Sequence, residues 1–151
     1  MLDEQIAVLE RRIENVIGQT EPLAARANLL RSIPGIGPVS AAMLIAELPE
    51  LGRMTSGEAA AITGLAPVPH HSGATRGRRM IAGGRRSVRH VLFQAALAAD
   101  CHNPALKPVA RRLKERGKQY KVVIIAIARK LVTIANAIIK TSKPWKIQHG
   151  E

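Results

Sequence analysis

The chain has 151 residues, enough for one ordinary domain, and its apolar fraction of 46% suffices for a core. It carries 23 Lys and Arg against 11 Asp and Glu, a formal charge of +12, and only one Phe, one Tyr and one Trp. These figures exclude wholesale disorder, and they argue against modules that stack nucleic-acid bases on aromatic platforms. The single Cys101 excludes a disulfide framework and a cysteine zinc site, and it fits a reducing compartment. Asp3 and Glu4 near the start are unlike the basic opening of a secretory signal. The expectation is an all-α, cytoplasmic domain with a polyanionic partner and no membrane contact.

At the start, Leu2, Ile6, Leu9, Ile13 and Val16 recur at steps of four and three, a heptad seam that ends near Gly18 before Pro22 in a polar link. Two heptads are marginal alone, so the segment is either the end of a coiled coil over 1–20 or an ordinary amphipathic helix. Next, apolar residues precede Pro34-Gly35-Ile36-Gly37-Pro38, and a helix rich in small residues follows to about residue 48. This hairpin over about 29–48 resembles a helix-hairpin-helix motif. There Gly35 and Gly37 let a backbone approach closely, and the second helix aims free N–H groups at a phosphate. The competing reading is a plain helical hairpin with glycines for packing. Thr55 and Glu58 have the spacing of a capping box, opening a short helix that Gly64 can stop.

Pro67 and Pro69 then enforce extended chain, and residues 70–84 read as a loop rich in glycine and arginine. A helix starts near Arg85, with Val88, Leu92, Ala95, Ala96 and Ala99 on one face, and Asn103-Pro104 breaks it. Pro108 opens a short, highly charged helix ending at Gly117, and Tyr120 to about Lys140 forms a long apolar helix. The longest strongly apolar run, Val122 to Ala128, is too short to span a bilayer.

Charge is distributed unevenly. Residues 1–62 hold five basic and eight acidic side chains; residues 63–151 hold eighteen and three. Arg76, Arg78, Arg79, Arg85, Arg86 and Arg89 form a run without a lysine, and a guanidinium fork binds phosphate bidentately. A phosphate backbone is the partner this pattern fits, because clustered cations gain affinity by releasing counterions. Beyond residue 62 the only carboxylate side chains are Asp100, Glu115 and Glu151. A complete metal site for phosphoryl transfer is therefore not expected in this chain, and Asp100 and Glu115 read as surface or ion-pairing groups. Ser72 follows His70 and His71 and lies beside the arginine run. A serine attacking a phosphodiester needs a base and nearby cations, which these neighbours offer; a turn former before Gly73 is the alternative.

The ordered blocks PGIGPVSAAMLIAEL, TGLAP, HHSG, RGRRMIAGGRRSVRHVLFQAAL, NPAL, RRLKERGK and ARKLVTIANAIIK resemble the C-terminal transposase domain of the insertion sequence 110 family of serine-containing recombinases. The resemblance runs from about Leu29 to Trp145, within a domain placed at 26–147 whose helices run to about 141. One block departs: an aromatic pair often found before Arg-Leu reads Pro108-Val109-Ala110-Arg111 here. The resemblance implies that Ser72 attacks DNA to give a phosphoserine intermediate. It also implies a separate N-terminal domain, absent from this chain, whose acidic tetrad binds Mg, so no cofactor is expected here. Further implications are DNA as partner, a homo-oligomeric full-length protein, a structured guide RNA in some relatives, and a bacterial or archaeal, nucleoid-associated setting. A non-catalytic helix-hairpin-helix DNA-binding module is the competing function.

Overall fold

Thr20 alone separates the first two helices, α1 (Leu2–Gln19) and α2 (Glu21–Arg31). Pro22, expected in a polar link, instead lies in the first turn of α2. Its missing N–H costs nothing there, because the first-turn donors have no intrahelical acceptor. The computed structural model describes residues 1–62 and 86–146, and among these the regular structure is entirely helical. The remaining helices are α3 (Pro38–Glu47), α4 (Ser56–Ile62), α5 (Arg86–His102), α6 (Lys107–Glu115) and α7 (Tyr120–Thr141).

The punctuation read from the sequence sets these ends. The Glu58 N–H donates to Thr55 Oγ1 at 3.1 Å, which caps α4. Gly117, at φ +78°, closes α6: its N–H donates to the Lys114 carbonyl at 3.0 Å, and the Lys118 N–H donates to the Leu113 carbonyl at 3.1 Å. That pair of bonds is a Schellman stop, which favours a left-handed glycine.

The core is organised around α7, which packs against α2, α4, α5 and α6. Nine of its residues are buried, including Ile124, Ile127, Leu131 and Val132. By length and composition α7 could cross a bilayer, although the apolar run inside it is much shorter. Arg129 and Lys130 interrupt that run without ending the helix, and half of its most apolar stretch is buried in this protein. With Asn103, Asn136 is one of two buried polar side chains among the described residues. Its Nδ2 donates to the Met54 carbonyl and its Oδ1 accepts from the Gly52 N–H, both at 2.6 Å, fixing the 48–54 turn against α7. After α7, the Trp145 N–H donates to Ser32 Oγ at 2.9 Å and ties the chain back to the end of α2.

Helix α1 contacts α2 and α3 but buries none of its residues. The heptad seam remains open to solvent, with Leu2 70%, Leu9 55% and Val16 57% exposed.

Candidate nucleic-acid interface

The turn between α2 and α3 is held by packing. Gly35 sits at φ +110°, and a Cβ built on it would lie 2.8 Å from Ala99 Cβ and 3.0 Å from the Ala95 carbonyl oxygen. Its open side is thus pressed against the small-residue face of α5. Asn103, fully buried after α5, reinforces the contact. Its Nδ2 donates to the Pro34 carbonyl at 3.0 Å, while its Oδ1 accepts from the N–H groups of Ala105 (2.9 Å) and Leu106 (3.2 Å). The sequence marked Asn103-Pro104 only as a helix break; the side chain also locks the hairpin to the α5–α6 turn. Gly37 differs from Gly35. It caps α3 in an extended conformation, and no atom lies within 4 Å of a Cβ built there. Pro38, at the start of α3, lines two clefts together with Glu14 of α1, and Glu14 reaches Arg31 at 4.0 Å.

The basic part of the chain is described from Arg86 onward. Arg86 and Arg89 occupy the first turns of α5, three residues apart and exposed. Ser87, between them, is half-buried. Ser72, Arg76, Arg78, Arg79 and Arg85 lie outside the described residues, as do His70 and His71.

Further along, α6 turns Ala110 to the core, with Val109 and Leu113 packed beside it, and exposes Lys107, Arg111, Arg112 and Lys114. Lys107, Arg111 and Lys114 share one cleft with Asp100 and Glu115. Lys114 Nζ lies 3.1 Å from Asp100 Oδ2 and 5.5 Å from the centre of the Tyr120 ring. Asp100 is thus an ion-pairing group, as its sequence context suggests. Among the described residues no group of three Asp, Glu, His or Cys side chains converges, so they do not supply the donor set a Mg ion needs.

Helix ends add an electrostatic signature that the residue order alone does not reveal. The positive pole of a helix favours acidic side chains in its first turn and disfavours cations by about 0.3–1 kcal/mol each at an exposed site. α1, α2 and α4 follow this rule, with Asp3 and Glu4, Glu21, and Glu58. α5, α6 and α7 have no acid in the first turn, where Arg86, Lys107 and Lys121 stand. Those cations oppose the intrinsic helix dipole. A phosphate beside a helix N-terminus would meet both a cation and free N–H groups.

Comparison with known proteins agrees with this chemistry. Residues 27–111 match the transposase IS116/IS110/IS902 family. The chain is 34% identical over 146 residues to the pilin gene-inverting protein of Moraxella bovis, covering 94% of this chain and 45% of that protein. It is 29% identical over 139 residues to the insertion element IS110 uncharacterized 43.6 kDa protein of Streptomyces coelicolor, covering 91% and 33% respectively. The insertion element IS116 uncharacterized 44.8 kDa protein of Streptomyces clavuligerus is 29% identical over 147 residues, covering 94% and 37%. The chain thus spans less than half the length of these relatives. With the matched segment reaching from α2 into α6, the chain belongs to the IS116/IS110/IS902 transposase family.

Proposed function

We propose that this chain is the DNA-contacting, serine-bearing portion of an insertion-sequence recombinase. The observation that carries the reading is the charge: eighteen basic and three acidic side chains after residue 62, continued at the exposed starts of α5, α6 and α7. Family membership gives that charge a substrate. In this reading Ser72 Oγ loses its proton to His70 or His71 and forms a bond to a backbone phosphorus. The strand oxygen it displaces leaves with a proton, and Arg76, Arg78 or Arg79 offsets the charge that builds on the non-bridging oxygens. Rejoining is the reverse: a strand hydroxyl attacks the phosphoserine and Ser72 takes its proton back. The chain by itself binds DNA without cleaving it, and cleavage needs the carboxylate-bearing domain of the longer protein.

The binding half of this reading is tested by salt. Replacing Arg78, Arg79, Arg85 and Arg86 with alanine flattens the plot of log affinity against log salt by roughly 0.9 for each phosphate no longer neutralised. An unchanged slope would mean that these arginines serve another purpose.

Assembly is tested at α1. Its open seam supports pairing with a second copy, which would bring two copies of Ser72 into one complex. In sedimentation equilibrium the chain is expected to show concentration-dependent dimer mass, and the Ile6→Asp, Ile13→Asp double variant to remain monomeric. Equal monomer masses at high concentration would contradict pairing through this seam.

A further inference from the structure

The proposed mechanism uses the arginine run that ends in α5 and leaves the charged helix α6 unexplained. Seven cations and a single acid, Glu115, fall between Lys107 and Lys121. All seven cations are exposed. Lys114 is paired with Asp100; among the described residues Lys107, Arg111, Arg112, Arg116, Lys118 and Lys121 have no ion pair. Lys107 and Lys121 moreover stand in first turns, where the helix dipole opposes them. Helix stability therefore does not account for these two residues, and mixed-sign solvation does not account for the group.

We infer that the solvent face of α6 and the first turn of α7 form a second contact with the duplex-DNA backbone, apart from the arginines at the start of α5. This rests on the reading of the chain as DNA-contacting and adds where the second grip lies. A lipid surface fits less well, because the apolar side of α6 is already turned to the core through Ala110, Val109 and Leu113. Single-stranded RNA is bound mainly by stacking its bases on several aromatic side chains, and Tyr120 is the one aromatic in this segment. Backbone contact by cations needs neither.

The spacing makes the two contacts separate. Asp100, which holds Lys114, follows Arg86 by fourteen residues of continuous helix. That is about 21 Å at the helical rise, and about six nucleotides along one strand of a duplex. A single phosphate cannot serve both ends of α5.

The test uses the whole chain and a labelled duplex DNA several helical turns long, titrated between about 50 and 200 mM salt. A variant carrying Lys107→Gln, Arg111→Gln, Arg112→Gln and Lys121→Gln is expected to lose roughly 3 to 4 in log–log slope and to bind at least about tenfold more weakly. An Arg86→Gln, Arg89→Gln variant loses roughly 2, and the combined variant loses the sum. A second pair, Lys107→Glu with Lys121→Glu, separates binding from folding: its thermal midpoint rises while its affinity falls, since the new acids complement both helix dipoles. An unchanged slope in the α6 variant, with the α5 variant behaving as expected, overturns the second contact alone. Salt-independent binding by the wild-type chain overturns the DNA-contacting reading and this inference with it. A loss confined to an RNA duplex of matching length overturns the assignment to DNA.

Discussion

Replacing Ser72 with alanine in the longer recombinase is expected to abolish the proposed covalent protein–DNA adduct, lowering strand cleavage by at least about 10⁴-fold. Duplex affinity stays nearly intact, because counterion release by many cations dominates binding and one neutral hydroxyl adds little to it. The two effects distinguish an enzyme part from a binding module: a module tolerates the loss of Ser72, whereas a recombinase does not. Arg78→Ala or Arg79→Ala should behave differently, weakening both adduct formation and affinity, since a guanidinium near the attacked phosphate serves both. A denaturing gel of labelled DNA reads the adduct, and a salt titration of the same variants reads the affinity.

Gly35→Val carries the largest expected effect on folding. At φ +110° a side chain is strained wherever it points, and here the first atoms it meets belong to α5: Ala99 Cβ at 2.8 Å and the Ala95 carbonyl oxygen at 3.0 Å. The oxygen is helix backbone and cannot turn aside as the end of a long side chain would. Left-handed strain together with overpacking gives an expected loss of about 3–5 kcal/mol in urea unfolding. Gly37→Ala, at a position with open space around it, should cost under about 1 kcal/mol. If the two glycines cost the same, the hairpin is not seated on α5 in the way described. Should Gly37→Ala weaken duplex binding without moving stability, the start of α3 would join the nucleic-acid contacts.

Periodicity and punctuation made most of the helical fold legible in the sequence. The face Val88, Leu92, Ala95, Ala96 and Ala99 is the face α5 buries, and the stops at Asn103 and Gly117 fall where the chain turns. Pro22 misled because proline ends a helix from inside but is neutral in a first turn, and only the backbone distinguishes the two. The extent of α7 was legible from Tyr120 to about Lys140, but judging its apolar reach by the run Val122 to Ala128 undercounted it, because Arg129 and Lys130 interrupt that run without interrupting the helix. What Gly35 faces was not readable either, since a glycine that bares backbone to a phosphate and one that bares it to Ala99 look the same in one dimension. The same holds for Asn103 and Asn136, whose partners lie 69 and more than 80 residues away.

The site was legible as chemistry more than as geometry. Arg86 and Arg89 stand exposed at the start of α5, while the other arginines of the run lie outside the described residues. The charge of α6 was plain, yet its significance depends on knowing that Lys107 and Lys121 fall at helix starts, which is a property of the fold. The α1 seam left a choice between a coiled coil and ordinary packing. Within this chain the seam is exposed, and α1 buries none of its residues.

The most direct measurement is the identity of the residue that becomes linked to DNA. The full-length protein, trapped on a labelled duplex and digested, should yield one nucleotide-bearing peptide, and fragmentation should place the phosphate on Ser72. A phosphate on Ser87, or an adduct that persists in Ser72→Ala, would contradict the account.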